Sequence, residues 1–157
     1  MNAMFPNYPH RYNGSEDVFV KKFIKLIAHQ KLYFGKRGLK GKFHEQISIP
    51  SIRRTSDLII YTKTNDRLIN IEFKLKDHKC LMKQATDHLK WCDYSYVCVP
   101  ASLYINYPKN YSQRLRDKGI GLILGNAETF MEIFRAKYNS YKGGKNKEIR
   151  NFVKNKL

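Results

Sequence analysis

Residues 67–76 read Arg-Leu-Ile-Asn-Ile-Glu-Phe-Lys-Leu-Lys, so that Ile69, Ile71, Phe73 and Leu75 alternate with Asn70, Glu72, Lys74 and Lys76. An apolar period of two describes a strand with one greasy and one polar face; a helix would repeat at three and four. A second β-like run, 57–64, precedes it, and the two are separated by Asn65 and Asp66, residues that tolerate the positive φ of a tight turn. The pattern predicts a hairpin in which residue 64 faces 67, Leu58 faces Phe73 and Ile60 faces Ile71. A slip of one residue would scatter the apolar side chains over both faces. On the polar face this register sets Asp57 opposite Lys74 and diagonal to Glu72, at about 7–8 Å between backbones.

The rest of the chain surrounds this hairpin with helical and strand signals. Ser15 is a suitable cap for a helix over 16–30, with Val20, Phe23, Ile24 and Ile27 at helical spacing. A first strand is expected over 44–50. After the hairpin, Asp77 can cap a helix over 79–92 whose inward stripe is Leu81, Ala85, Leu89 and Cys92. A buried-looking strand, 94–99, stops at Pro100, a polar helix near 111–117 leads to a short apolar strand at 119–124, and segments 127–138 and 147–157 read as helical or partly so. The order predicts an α/β domain, a mixed sheet flanked by helices. Residues 1–14 are read as a flexible amino-terminal segment, 15–138 as the domain, and 139–157 as a basic, helical carboxy-terminal tail.

Composition narrows the classes of function. With 157 residues the chain is long enough for an ordinary core. No apolar run approaches the roughly 18 residues of a membrane span. Nothing in Met1–Gly14 resembles a secretion signal, so cytoplasmic residence is the expectation. The three cysteines, Cys80, Cys92 and Cys98, show no CxxC spacing, and a zinc set of Cys80, His88 and Cys92 lacks a fourth ligand. Thirty Lys and Arg stand against thirteen Asp and Glu, a net charge of +17, which favours a polyanionic partner over a small molecule. The positive charge concentrates in the glycine-rich stretch holding Lys36, Arg37, Lys40 and Lys42, at Arg53 and Arg54, and in a tail from Arg135 to Lys156 with eight basic residues against Glu148. Lys36, Arg37, Lys40, Lys42, Arg53 and Arg54 are the expected nucleic-acid contacts. The basic runs lack the apolar face that membrane-surface binding needs.

Two carboxylates that converge beside an ammonium have a specific use. Asp57 and Glu72 at that separation can both reach a hard divalent cation, and such a cation polarises a phosphoryl oxygen and acidifies a water. Lys74 could orient that water or offset charge developing on phosphate. Glu16, three, four and seven residues before Phe19, Val20 and Phe23, shares their inward face and is a fourth candidate acid, whereas Asp17 turns away. An acid in a first helical turn is also favoured by the helix dipole alone. Glu45 is read as solvated, and His44, His78 and His88 as candidate phosphate contacts that are more commonly lone surface or half-buried histidines.

Asp57, fourteen intervening residues and then Glu72-Phe73-Lys74, on a hairpin between a leading and a following helix, resemble the PD-(D/E)XK nuclease superfamily. The resemblance spans roughly Ser15 to Leu124, and the small single-domain resolvase-like and DNA-repair nucleases are similar in size and helix-first order. It implies a restriction-endonuclease-like fold of αβββαβ order. It also implies metal binding by Asp57, Glu72 and the Phe73 carbonyl, with Glu16 as a further ligand, and catalysis by Lys74 with Gln84 on the next helix. The proline that often precedes the aspartate is replaced by Ser56. The implied activity is a magnesium- or manganese-dependent DNA endonuclease, with RNA not excluded as substrate, structure-specific for junctions or branches, and a homodimer where both strands are cut. The alternative is a non-catalytic basic nucleic-acid-binding protein on the same fold.

Overall fold

The computed structural model describes residues 15–28, 33–34, 37–38, 41–75, 78–126, 129–139 and 146–157. Helix α1 (Glu16–Ala28) opens it. The Ser15 hydroxyl accepts the Val18 N–H at 3.3 Å, occupying one of the amide donors that a helix start leaves without a partner. A small ribbon of β1 (Tyr33–Phe34) and β2 (Arg37–Gly38) follows. Then come β3 (Lys42–Ile49), β4 (Arg54–Thr62), β5 (Arg67–Phe73), α2 (His78–Asp87) and β6 (Tyr94–Pro100). The short helix α3 (Ala101–Tyr104), α4 (Tyr111–Asp117), β7 (Gly121–Gly125), β8 (Phe130–Phe134) and α5 (Lys147–Lys156) complete the order.

The six strands β3 to β8 form one mixed sheet in chain order. Strands β3, β4 and β5 are antiparallel neighbours, β5, β6 and β7 are parallel, and β8 returns antiparallel to β7. A parallel step needs a crossover, and α2 supplies the one between β5 and β6. On one face, Phe19, Val20 and Phe23 of α1 pack on Leu58, Ile60, Ile69, Ile71 and Phe73, with Phe23 and Phe73 ring centres 5.3 Å apart. On the other, Leu81, Met82 and Ala85 of α2 cover Val97 and Val99, while Val153 of α5 joins Ile49, Ile59, Leu68 and Trp91. Strands β6 and β7 are apolar on both sides because both faces are covered.

The hairpin register differs from the expected one by two residues. Its turn is a 3-10 turn, Lys63–Asn65, closed by Asp66 at φ 51°, so Thr62 pairs with Arg67, Leu58 with Ile71 and Ile60 with Ile69. The Thr62 hydroxyl donates to the Asn65 side chain and holds that turn. A shift of two preserves the side-chain alternation, which is why the apolar face survives. The expected polar, solvated face does not: Asn70 is fully buried and Glu72 nearly so, beneath the layer that α2 and α5 complete.

Two further expectations change. Segment 127–138, read as helical, contains strand β8, because the outer edge of β7 offers backbone groups that a strand can satisfy and a helix cannot. The short apolar run Phe130–Phe134 fits either state on pattern alone. Segment 139–157 is helical over Lys147–Lys156, but α5 belongs to the core rather than forming a separate tail. Asn146 caps it through the Glu148 and Ile149 amides, and Arg150, only 6% exposed, pairs with Asp93 at 2.8 Å. Among the described residues no helix is long and apolar enough to cross a membrane.

Candidate active site

The site begins with a break in the ladder between β3 and β4. Pairs Glu45–Leu58 and Ile47–Ser56 flank a position where Gln46 adopts φ 54°, left-handed backbone that a non-glycine residue rarely takes within a strand. The Gln46 amide reaches Asp57 Oδ1 at 3.3 Å. Asp57 Oδ2 in turn accepts the Phe73 N–H at 2.9 Å, so a side-chain carboxylate serves that amide beyond the last β4–β5 pair, Leu58–Ile71. The two-residue register shift therefore brings Asp57 beside Glu72 instead of diagonal to it, close enough for the Asp57 charge to act on the Glu72 carboxyl. Lys74 follows at the strand end, half-buried.

Burial holds the Glu72 carboxyl well above the usual carboxylate range, and the neighbouring Asp57 carboxylate pushes the same way; the Asp57 backbone and Lys74 oppose them. Glu16 is placed near this group. Its pKa is raised, first by burial and then by Asp57, while Lys74 and the Leu75 backbone N–H favour its charged form. Asp17, as expected, faces away, 76% exposed beside Lys21.

Behind Glu72 lies His88, which is fully buried rather than a surface phosphate contact. Its Nε2 stands 2.6 Å from Glu72 Oε1. The Trp91 indole N–H donates to His88 Nδ1 at 3.0 Å, and since an indole can only donate, the proton of neutral His88 resides on Nε2, facing Glu72. Burial lowers the His88 pKa to about 4, with Arg54 acting in the same sense and Asp57 and Asp87 against it. Despite the close approach, Glu72 Oε1 and His88 Nε2 lack the alignment of a hydrogen bond. The adjoining buried polar groups contrast with this: Ser56 bonds Asn70 at 2.5 Å, Asn70 bonds Ser95 at 3.2 Å, and Ser95 bonds the Ala85 carbonyl at 2.7 Å.

The remaining expected residues divide. Gln84 is half-buried on α2, the helix that packs over β5 and β6. Lys42 and Arg53 are exposed, Arg53 at a left-handed turn of φ 53°. Arg54, part-buried, pairs with Asp87 at 2.8 Å. Lys36 and Lys40 lie outside the described residues, and Arg37 falls in β2. Of the suggested zinc set, Cys92 sits in the core and His88 beside Glu72. Among the described residues no group of three or more His, Cys, Asp or Glu side chains stands at metal-ligand spacing.

Sequence reasoning missed Gln46, His88 and Trp91 as parts of the site. A glutamine in a strand gives no warning of left-handed backbone. The one available signal for the other two was the three-residue spacing of His88 and Trp91 after the stripe of α2.

No protein-family model and no curated protein matches the chain. Among solved structures it is similar to a protein of unknown function from Silicibacter pomeroyi, with a TM-score of 0.59 and 15% identity over 92% of this chain and 85% of that one. At that identity the likeness is one of fold.

Proposed function

We propose that the chain is a metal-dependent DNA endonuclease of restriction-endonuclease-like fold and αβββαβ core order, hydrolysing phosphodiester bonds, with branched or junction DNA as the substrate class. The observation that carries this reading is the pair Asp57 and Glu72, two carboxyl groups packed against each other with Lys74 and Glu16 beside them. Two adjacent carboxylates, one of them buried, are costly unless a proton or a cation lies between them. Glu72 Oε1 is turned to His88 Nε2 at 2.6 Å, so what fits a cation is the chemistry of the donor set that Asp57 and Glu72 share.

The donors are all oxygen, which suits magnesium or manganese, and magnesium in particular is commonly held by one or two carboxylates with the rest of its shell left to water and phosphate. A set of only two carboxylates and the Phe73 carbonyl is therefore sufficient in kind. When bound, the cation supplies Lewis-acid polarisation of the phosphoryl group and lowers the pKa of a water. Gln46 and the Phe73 amide fix the rotamer of Asp57. His88, with its tautomer set by Trp91, stands 2.6 Å from Glu72 Oε1 and limits where that carboxyl can turn. On this reading Lys74 orients the attacking water or offsets charge on the phosphate, Gln84 assists from α2, and Glu16 is a further ligand at the edge of the site.

The test is incubation of purified protein with supercoiled plasmid and with a four-way junction, with magnesium, with manganese and with a chelator. Cleavage that needs the cation, and that falls by at least about 10²-fold in Asp57→Ala, Glu72→Ala and Lys74→Ala, supports the reading. Near-native rates in any of the three variants would overturn the assignment of the site. Cation-independent binding without cleavage would favour the non-catalytic alternative.

A further inference from the structure

The end of the sheet remote from the carboxylates gathers cations and aromatic rings that none of the readings above uses. Arg67 opens β5, Tyr94 opens β6 and Gly121 opens β7. Residues after β8 run across these strand starts, tied by the Lys137 N–H to the Gly119 carbonyl at 3.0 Å and the Asn139 N–H to the Asp93 carbonyl at 2.8 Å. This path lays Tyr138 against Tyr94, ring centres 5.7 Å apart. The Arg67 guanidinium lies 4.6 Å from the centre of the Tyr138 ring, and that of Arg135 lies 5.6 Å from Tyr94. Next along, Arg116 of α4 lies 4.3 Å over Phe134, where a cleft of about 450 Å³ is lined by Arg116, Phe134, Arg135 and Lys137. The acid of that cleft, Asp117, is engaged by the Gln113 amide at 2.8 Å.

We propose that this crescent binds single-stranded nucleic acid, stacking bases on Tyr138 and the Arg67 guanidinium and pairing phosphates with Arg116, Arg135 and Lys137. Three features select that partner. Arg116, Arg135 and Lys137 line the cleft beside Asp117, and Arg67 lies against Tyr138, so cations outnumber acids among the described residues that form this surface, which complements a polyanion. Tyr138, packed against Tyr94 and Arg67, still exposes 44% of its surface among these cations. Ring faces and guanidinium planes accept unstacked bases, which a single strand offers and a duplex conceals. An acidic peptide would use the cations but not the rings. The surface needs neither a cation nor cleavage, so it goes beyond the nuclease reading and stands or falls apart from it. If both hold, the six residue steps from Arg67 to Phe73 put the single-strand contact about 20 Å along β5 from the carboxylates.

The experiment is fluorescence anisotropy of the full chain, with chelator present, against labelled oligo-dT of about 16 nucleotides, oligo-rU of the same length, and a mixed-sequence duplex. Tyr138→Ala is expected to weaken single-strand binding about tenfold, a loss at the low end of base stacking, and to leave duplex binding unchanged. Tyr138→Phe, which keeps the ring, is expected to bind like the wild type. Arg135→Gln and Lys137→Gln, both at exposed positions, should each lower the salt slope of single-strand binding by about 0.7, and they serve as the readout if Tyr138→Ala does not fold. The ratio of oligo-dT to oligo-rU affinity assigns the strand to DNA or RNA. Equal losses on single strand and duplex, a Tyr138→Phe variant as weak as Tyr138→Ala, or displacement of the oligonucleotide by a polyglutamate peptide of equal charge would overturn the proposal. So would a wild-type chain that binds neither oligonucleotide.

Discussion

Glu72 and His88 occupy the same buried spot with opposite titration behaviour, and this gives the protein a testable acid–base signature. Glu72 holds its proton more tightly in the folded chain than an ordinary carboxyl near 4.5 does. The stability its protonated form contributes is complete below that value and is lost as pH rises through the elevated folded pKa. His88 works in the other sense, because its folded pKa of about 4 lies below the ordinary 6.5. Its contribution is complete above 6.5 and lost as pH falls toward 4. In the presence of chelator, Glu72→Gln should be more stable than the wild type at pH 8, by an amount on the order of 1–3 kcal/mol, the cost of a poorly satisfied buried polar group. The advantage should shrink toward pH 4.5, and the variant should retain the rise of stability between pH 4 and 6.5 that His88 supplies. Urea melts across pH 4 to 9 measure both, and parallel curves for the two proteins would show that Glu72 is not held protonated.

At the scale of elements, the first helix and the last one are each more than their periodicity implied. Phe19 and Phe23 fix α1 on the sheet, and that packing aims Glu16 at Asp57 and Lys74 while Asp17 stays in solvent. On the proposed reading, Glu16→Gln should lower cleavage and raise the half-saturating manganese concentration about tenfold, whereas Asp17→Asn should change neither. Equal effects from the two substitutions would reduce the role of α1 to packing and dipole. Helix α5 is locked by Arg150, whose guanidinium bonds Asp93, the Trp91 carbonyl and the Asp66 carbonyl. Arg150→Ala takes the guanidinium from the Asp93 carboxylate, which is 1% exposed and keeps the Leu68 N–H, and should cost about 3–5 kcal/mol in chemical denaturation. A loss under about 1 kcal/mol would mean that α5 is not integral to the fold.

For the whole molecule, the charge of +17 remains the strongest general statement about partners, and it makes a quantitative demand on the proposed function. If 6 to 10 phosphates are neutralised, DNA affinity should fall by about 10³ to 10⁵ between 50 and 200 mM salt, and a flat titration would remove nucleic acid as the main ligand. Which cations take part is a tertiary matter. Arg54 looked as available in the sequence as Arg53, yet it pairs with Asp87, while Arg67, Arg116 and Arg135 converge from positions far apart in the chain. Local periodicity by itself determined the mixed α/β class, the inward face of α1, the bounds of α4 at Tyr111–Asp117 and the apolar face of the hairpin, because each depends on neighbours within a few residues. Asp57 and Glu72 were also visible as a pair, since an even shift in register leaves alternation intact. Only the tertiary structure decided that the pair is adjacent rather than diagonal, because the 3-10 turn at Lys63–Asn65 sets the register. It alone made 130–134 a strand, by supplying an edge to pair with, and it alone buried Glu72 against His88. Burial depends on what the α2 crossover and the docked α5 bring over the sheet, and no window of a few residues contains that information.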